Sequence, residues 1–152
     1  MRASTFLMAV ALLNSASAWA QVTIRPGQYE FTIDMKMAVP KEAQKAVLDA
    51  AGFNRQQKRL ECITPDQAKQ AKDDVVKFAQ REMDVSSCTM SNVKSSATTL
   101  TFNMTCKEDN VAMTGTAEFT FAVDSFTSLG TMKSPEGTST VKTVARRVGD
   151  CK

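Results

Sequence analysis

The chain has 152 residues, 43% of them apolar and 23% charged, with 19 Lys and Arg against 16 Asp and Glu. That composition is globular and suits one domain; it excludes a disordered tail, a collagen-like repeat and a low-complexity linker. A net charge of only +3 argues against a nucleic-acid surface, and the complete lack of histidine removes the residue on which most general-base, zinc and non-haem iron chemistry relies.

The first twenty residues read as a secretory signal. Arg2 gives the positive start and Phe6 to Leu13 a short apolar run. Ala16-Ser17-Ala18 and Ala18-Trp19-Ala20 are small-residue cleavage patterns. Cleavage after Ala20 is expected, leaving 21–152 as a single disulfide-stabilised domain with net charge +2 once Arg2 is lost. The apolar run is too short to span a bilayer, and no later stretch comes near that length. The expected address is periplasmic or secreted, with no transmembrane segment after the signal is removed.

Gln28 to Met37 alternates strictly. Tyr29, Phe31, Ile33, Met35 and Met37 share one face and Gln28, Glu30, Thr32, Asp34 and Lys36 the other, which predicts a half-buried strand. Lys41 to Ala51 is rich in helix formers and is followed by Gly52, so a surface helix is expected there. A short strand near Arg59 to Ile63 follows. Thr64-Pro65-Asp66-Gln67 is a capping box with proline at the first helical position. The helix it opens is predicted to run to about Arg81, with Ala68, Ala71, Val75, Phe78 and Ala79 on one face. The remainder reads as strands: Ser87 to Lys94, Thr98 to Lys107, Val111 to Val123, Phe126 to Lys133 and Thr138 to Val148. The expected class is α+β: an antiparallel curved sheet or open barrel of about six to seven strands with two helices, one packed on the sheet.

All four cysteines follow the signal, an even count that reads as two disulfides in an oxidising compartment. Folding the hairpin about Ala97 sets Cys88 opposite Cys106 and Met90 opposite Met104. Cys62 with Cys151 then follows by elimination.

No catalytic constellation emerges, and no enzyme is expected. Without histidine the Ser-His and Cys-His pairs cannot be built. The SxxK pattern occurs at Ser91 to Lys94 and at Ser139 to Lys142, but both lie in predicted strands or turns and the partner motifs of serine–lysine enzymes are missing. Asp73-Asp74 and Glu108-Asp109 read as surface charge. Neither a metal nor a cofactor is expected. Met35-Lys36-Met37 could attract Cu(I), yet both methionines simply continue the apolar face of the first strand. That same apolar face suggests a curved sheet enclosing a small hydrophobic ligand, with Tyr29, Phe31, Met113, Phe119 and Phe121 as the ligand-facing candidates. Gly115 and Ala117 leave room there for a ligand or a close-packed helix.

Four blocks carry a family resemblance: Ile24-Arg25-Pro26-Gly27-Gln28-Tyr29-Glu30, Cys62-Ile63-Thr64-Pro65-Asp66, Asp124-Ser125-Phe126-Thr127 and Ala145-Arg146-Arg147-Val148-Gly149-Asp150-Cys151. In order and spacing the chain resembles a family of exported bacterial proteins known only as a numbered domain of unknown function. Tyr29 stands where that family more often has Trp. The resemblance implies export, the disulfides and a single domain; it implies no activity. Within these blocks, alternation sends Arg146 and Arg147 to opposite faces. One of them is a candidate for a buried ion pair with Glu30 or Asp124, and two solvated arginines are the equal alternative. The expected role is a non-enzymatic binding or accessory protein that holds a small apolar ligand. The alternative is a protein-interaction module, either an envelope-assembly factor or an inhibitor of a secreted enzyme.

Overall fold

The computed structural model describes residues 21–38, 55–85, 87–108 and 111–152. The predicted signal and the helix expected over Lys41 to Ala51 lie outside the described residues. Seven strands form one antiparallel sheet: β1 (Gly27–Ala38), β2 (Arg55–Ile63), β3 (Thr89–Ser95), β4 (Thr99–Glu108), β5 (Val111–Ala122), β6 (Ser125–Ser134) and β7 (Gly137–Gly149). Their order is β2-β1-β7-β6-β5-β4-β3, so the sheet is open and ends on β2 and β3. From β3 to β7 each strand pairs with the next in sequence, and β7 then returns beside β1.

Directly opposed residues in an antiparallel sheet share a face. The register therefore resolves the inner face into rows across the strands. One row runs Phe31, Ala145, Phe126, Phe121, and the next Ile33, Thr143, Ser128, Phe119, Leu100. Then come Met35, Val141, Gly130, Ala117, Phe102, and finally Met37, Ser139, Met132, Gly115, Met104, Met90. The opposite face is rich in threonine and charge and stays in solvent, as half-buried strands require.

Two helices, α1 (Pro65–Asp73) and α2 (Val75–Met83), lie on the inner face. The single helix expected from Pro65 to Arg81 is thus divided. Its start is as read: Thr64 Oγ1 accepts from Gln67 N–H at 3.3 Å, and Gln67 Oε1 accepts from Thr64 N–H at 2.8 Å. The break is at Asp74, whose backbone (φ −148°, ψ 81°) leaves the helical region. Its N–H closes α1 on Gln70 O, while its carboxylate accepts from Lys77 N–H at 3.0 Å and caps α2. Aspartate satisfies orphan donors better at a cap than it serves a helix interior. An apolar stripe that continues across the break hides this from the sequence.

The core forms where α2 meets the aromatic row. Phe78 is fully buried and stands edge-on to Phe121 and Phe126, with ring centroids 6.3 and 5.7 Å away. The N-terminal segment closes the same end: Val22 and Ile24 are buried, and Arg25 N–H donates to Val123 O at 2.8 Å. Gly27 opens β1 at φ +149°, a conformation that a side chain rarely tolerates.

Both disulfides form as paired. Cys88–Cys106 spans the hairpin of β3 and β4 with Cα atoms 4.3 Å apart. Cys62–Cys151 joins the end of β2 to the residues after β7, bridging over β1, with Cα atoms 5.5 Å apart. The hairpin register holds at Met90 opposite Met104 and then slips by one residue between Ser91 and Lys94. Asn92, at φ 51°, marks this bulge.

Candidate functional site

The inner face is filled at one end and open at the other. Tyr29, Phe31, Phe119 and Phe121, named from sequence as ligand-facing, are all buried core residues. Phe78 of α2 packs on Phe121, and Tyr29 and Phe31 pack on Phe126, which Phe78 also meets. Tyr29 is also tied down, its hydroxyl donating to Arg25 O at 2.7 Å. Burial keeps this phenol neutral and pushes its pKa up to about 12, with the Asp124 carboxylate adding to the shift. Met113 packs half-buried beside Cys106. Of the five candidates, Phe31 alone also lines the open space.

That space is a cavity of about 690 Å³ between the sheet and the end of α2. Along β6 the inward residues shrink from Phe126 to Ser128 and Gly130, and along β7 they are Thr143, Val141 and Ser139. These small side chains form the floor. Ile33 and Met35 of β1, Met132 of β6 and Met104 of β4 bound it, and the turn from Arg81 to Val85 overhangs it. A Cβ added at Gly130 would lie 2.5 Å from Met83 Cε, so Met83 of α2 rests directly over this glycine. Gly115, pointed to by the sequence, is closed in as well: a Cβ there would meet the backbone Thr131 O at 2.4 Å, Met132 Sδ at 3.0 Å and Met104 Cγ at 3.3 Å. The signal for the true floor was present in the alternation Phe126, Ser128, Gly130, Met132. Reading it required knowing which end the helix fills.

The cavity lips are charged. On β2, Arg59 lies over the Phe31 ring at 5.1 Å and pairs with Glu61 at 3.2 Å. On α2, Arg81 lies over Phe78 at 5.1 Å and pairs with Glu82 at 2.8 Å. Both arginines cover aromatic core with their guanidinium planes while keeping charge in water.

The buried ion pair expected of Arg146 or Arg147 is replaced by other pairings. Arg146 is opposite Glu30 in register, but on the exposed face, where Glu30 pairs with Lys58 at 3.7 Å. Asp124 pairs with Arg25 at 3.3 Å, also in solvent. Arg147 does turn inward, beside Tyr29. At the strand end it meets no buried acid; its Nε donates to Pro26 O at 3.0 Å and its other end pairs with Asp150. This clamp fixes the turn into β1.

Of the remaining motifs, Glu108-Asp109 falls outside the residues whose side chains are described. Ser139 lines the cavity, whereas Lys142 is three residues on and therefore on the opposite face. Asp73 pairs with Lys69, and Asp74 is a cap. Among the described residues, no group of three or more Cys, Asp and Glu side chains is placed to hold a metal ion.

Two disulfides fit an oxidising compartment. Among the described residues no helix is long and apolar enough to cross a membrane. No curated protein and no solved structure matches the chain significantly. The family model for proteins of unknown function called DUF3617 matches residues 24–151, from the buried Ile24 to the second cysteine of the long disulfide, and the chain belongs to that family.

Proposed function

We propose that this chain is an exported, non-enzymatic binding protein of the periplasm that holds a small apolar ligand in the cavity between its sheet and α2. The observation that carries the reading is the cavity itself. At about 690 Å³ it is within the range of small-molecule sites, and its walls combine Phe31, Ile33, Met35, Met83, Met132 and Val141 with a few hydroxyls. Export is supported by the signal-like first twenty residues and by the two disulfides.

The rival role, docking a partner protein, would most simply use an unpaired sheet edge. The edge strands are poorly suited to it. β3 is short and bulged and carries Lys94, while β2 carries Lys58 and Arg59, features that discourage strand addition.

Native mass spectrometry of protein purified without detergent tests the reading. A bound apolar species, released on denaturation, is expected. Gly130→Leu should fold and bind nothing, because a Cβ there lies 2.5 Å from Met83 Cε and the new side chain pushes the flexible end of Met83 into the cavity. A bare mass, together with no lipophile raising the melting temperature, refutes the proposal.

A further inference from the structure

The two disulfides differ in access. Cys106 is buried and Cys88 half-buried, within the hairpin of β3 and β4. Cys62 and Cys151 are both exposed. Thiol–disulfide exchange requires the attacking sulfur to reach one member of the bonded pair, so access singles out Cys62–Cys151 as the exchangeable bond. The bonds also stand at opposite ends of the sheet, one on edge strand β2 and the other beside edge strand β3.

The exposed bond secures a wall of the cavity. β2 supplies Arg59, Glu61, Cys62 and Ile63 to the lining, and Arg59 covers the Phe31 ring. The strand pairs on one side only, with β1. From Gln56 to Ile63, Ile63 alone is buried. A strand with one ladder and one buried side chain belongs to the low end of local stability. The bond to Cys151 ties it to the end of β7.

Resting on the proposed cavity function, we infer that Cys62–Cys151 is a redox latch, opened by a dithiol of the thiol–disulfide oxidoreductase class to release the ligand. A thiolate of the reductase attacks Sγ of Cys151, which lies beyond β7 and outside the ladders. A mixed disulfide forms, the Cys62–Cys151 bond breaks, and Cys62 leaves as the thiolate. The second thiol of the reductase, once deprotonated, displaces Cys151. Both cysteines end reduced and take protons from water, and the reductase ends as its own disulfide. β2 loses its tie and the cavity its wall. Cys88–Cys106 stays closed at the far end of the sheet, so the two freed thiols have only each other as partners when the latch is reoxidised.

The test uses the oxidised protein and a thioredoxin-fold reductase whose second active-site cysteine is replaced by serine. That enzyme traps the first attack as a mixed disulfide, which peptide mapping locates. The adduct is expected at the Cys62–Cys151 bond. An adduct at Cys88 or Cys106, or none unless denaturant is added, overturns the latch. The intact reductase should then cause loss of most of the fluorescence of the apolar dye phenylnaphthylamine bound to the protein, and oxidised glutathione should restore it. Fluorescence unchanged by reduction overturns the latch and leaves the cavity standing. Reduction of Cys88–Cys106 in the same step also overturns the latch, since the opening is then general unfolding. No dye binding by the oxidised protein overturns the cavity reading and the latch with it.

Discussion

Removing each disulfide in turn gives a graded loss that the chain connectivity fixes in advance. The Cys88–Cys106 bridge spans 18 residues and the Cys62–Cys151 bridge 89. In the chain-entropy treatment, loops of these lengths stabilise by about 3.2 and about 4.6 kcal/mol at room temperature. Both are large against the total of roughly 5–15 kcal/mol available to a domain. Replacing each pair by alanines keeps buried hydroxyls out of the comparison, which matters because Cys106 is only 5% exposed. With about 2.1 cal/mol/K of unfolding entropy per residue over roughly 130 residues, the melting temperature should fall by about 12 °C and about 17 °C respectively. Thermal unfolding followed by far-ultraviolet circular dichroism measures both. A Cys62→Ala/Cys151→Ala protein already unfolded while the Cys88→Ala/Cys106→Ala protein still melts cooperatively has the expected order. The reverse order, or equal losses, would refute loop closure as the source of stabilisation and assign it to native packing around the sulfurs.

Other expectations follow from single contacts. Phe78→Ala, which empties the centre of the aromatic row, should cost about 3–5 kcal/mol in urea unfolding and release α2 from the sheet. Gly27→Ala should cost about 1–3 kcal/mol, since φ is +149° there and a Cβ would sit 2.5 Å from Gly149 O; stability equal to wild type would contradict this. Tyr29 is the one tyrosine of the chain, so its phenolate absorbance can be followed directly. With its folded pKa raised to about 12 from 10, its contribution is intact below pH 10, falls as pH climbs from 10 towards 12, and totals about 2–3 kcal/mol. A phenolate midpoint near 10 in the folded protein would show that the hydroxyl is open to solvent.

The sheet was legible because alternation with period two states directly which residues share a face. The strand from Tyr29 to Met37 and the pairing of Met90 with Met104 could be read without any coordinates. The disulfide pairing came from the same hairpin arithmetic. The break at Asp74 was not legible, since a cap in mid-stripe leaves the apolar spacing unchanged. Nor was the bulge at Asn92, where a one-residue slip sits among exposed polar positions that have no buried face to betray it. The cavity escaped for a tertiary reason. Phe121 looks like a lining until Phe78 is seated on it, and Gly130 looks like a gap until Met83 roofs it.

The pairing of β1 with β7 has a kinetic consequence. Pro26 and Arg147, joined at the turn into β1, are 121 residues apart in the chain. Every ladder between them can nucleate locally, but β1 and β2 have no place to dock until the last strand has been delivered. High contact order of this sort predicts folding in milliseconds to seconds, with the closing step last. A polypeptide threaded through a narrow pore from its N-terminus would remain extensible throughout passage, and it would lock only when its final residues arrive.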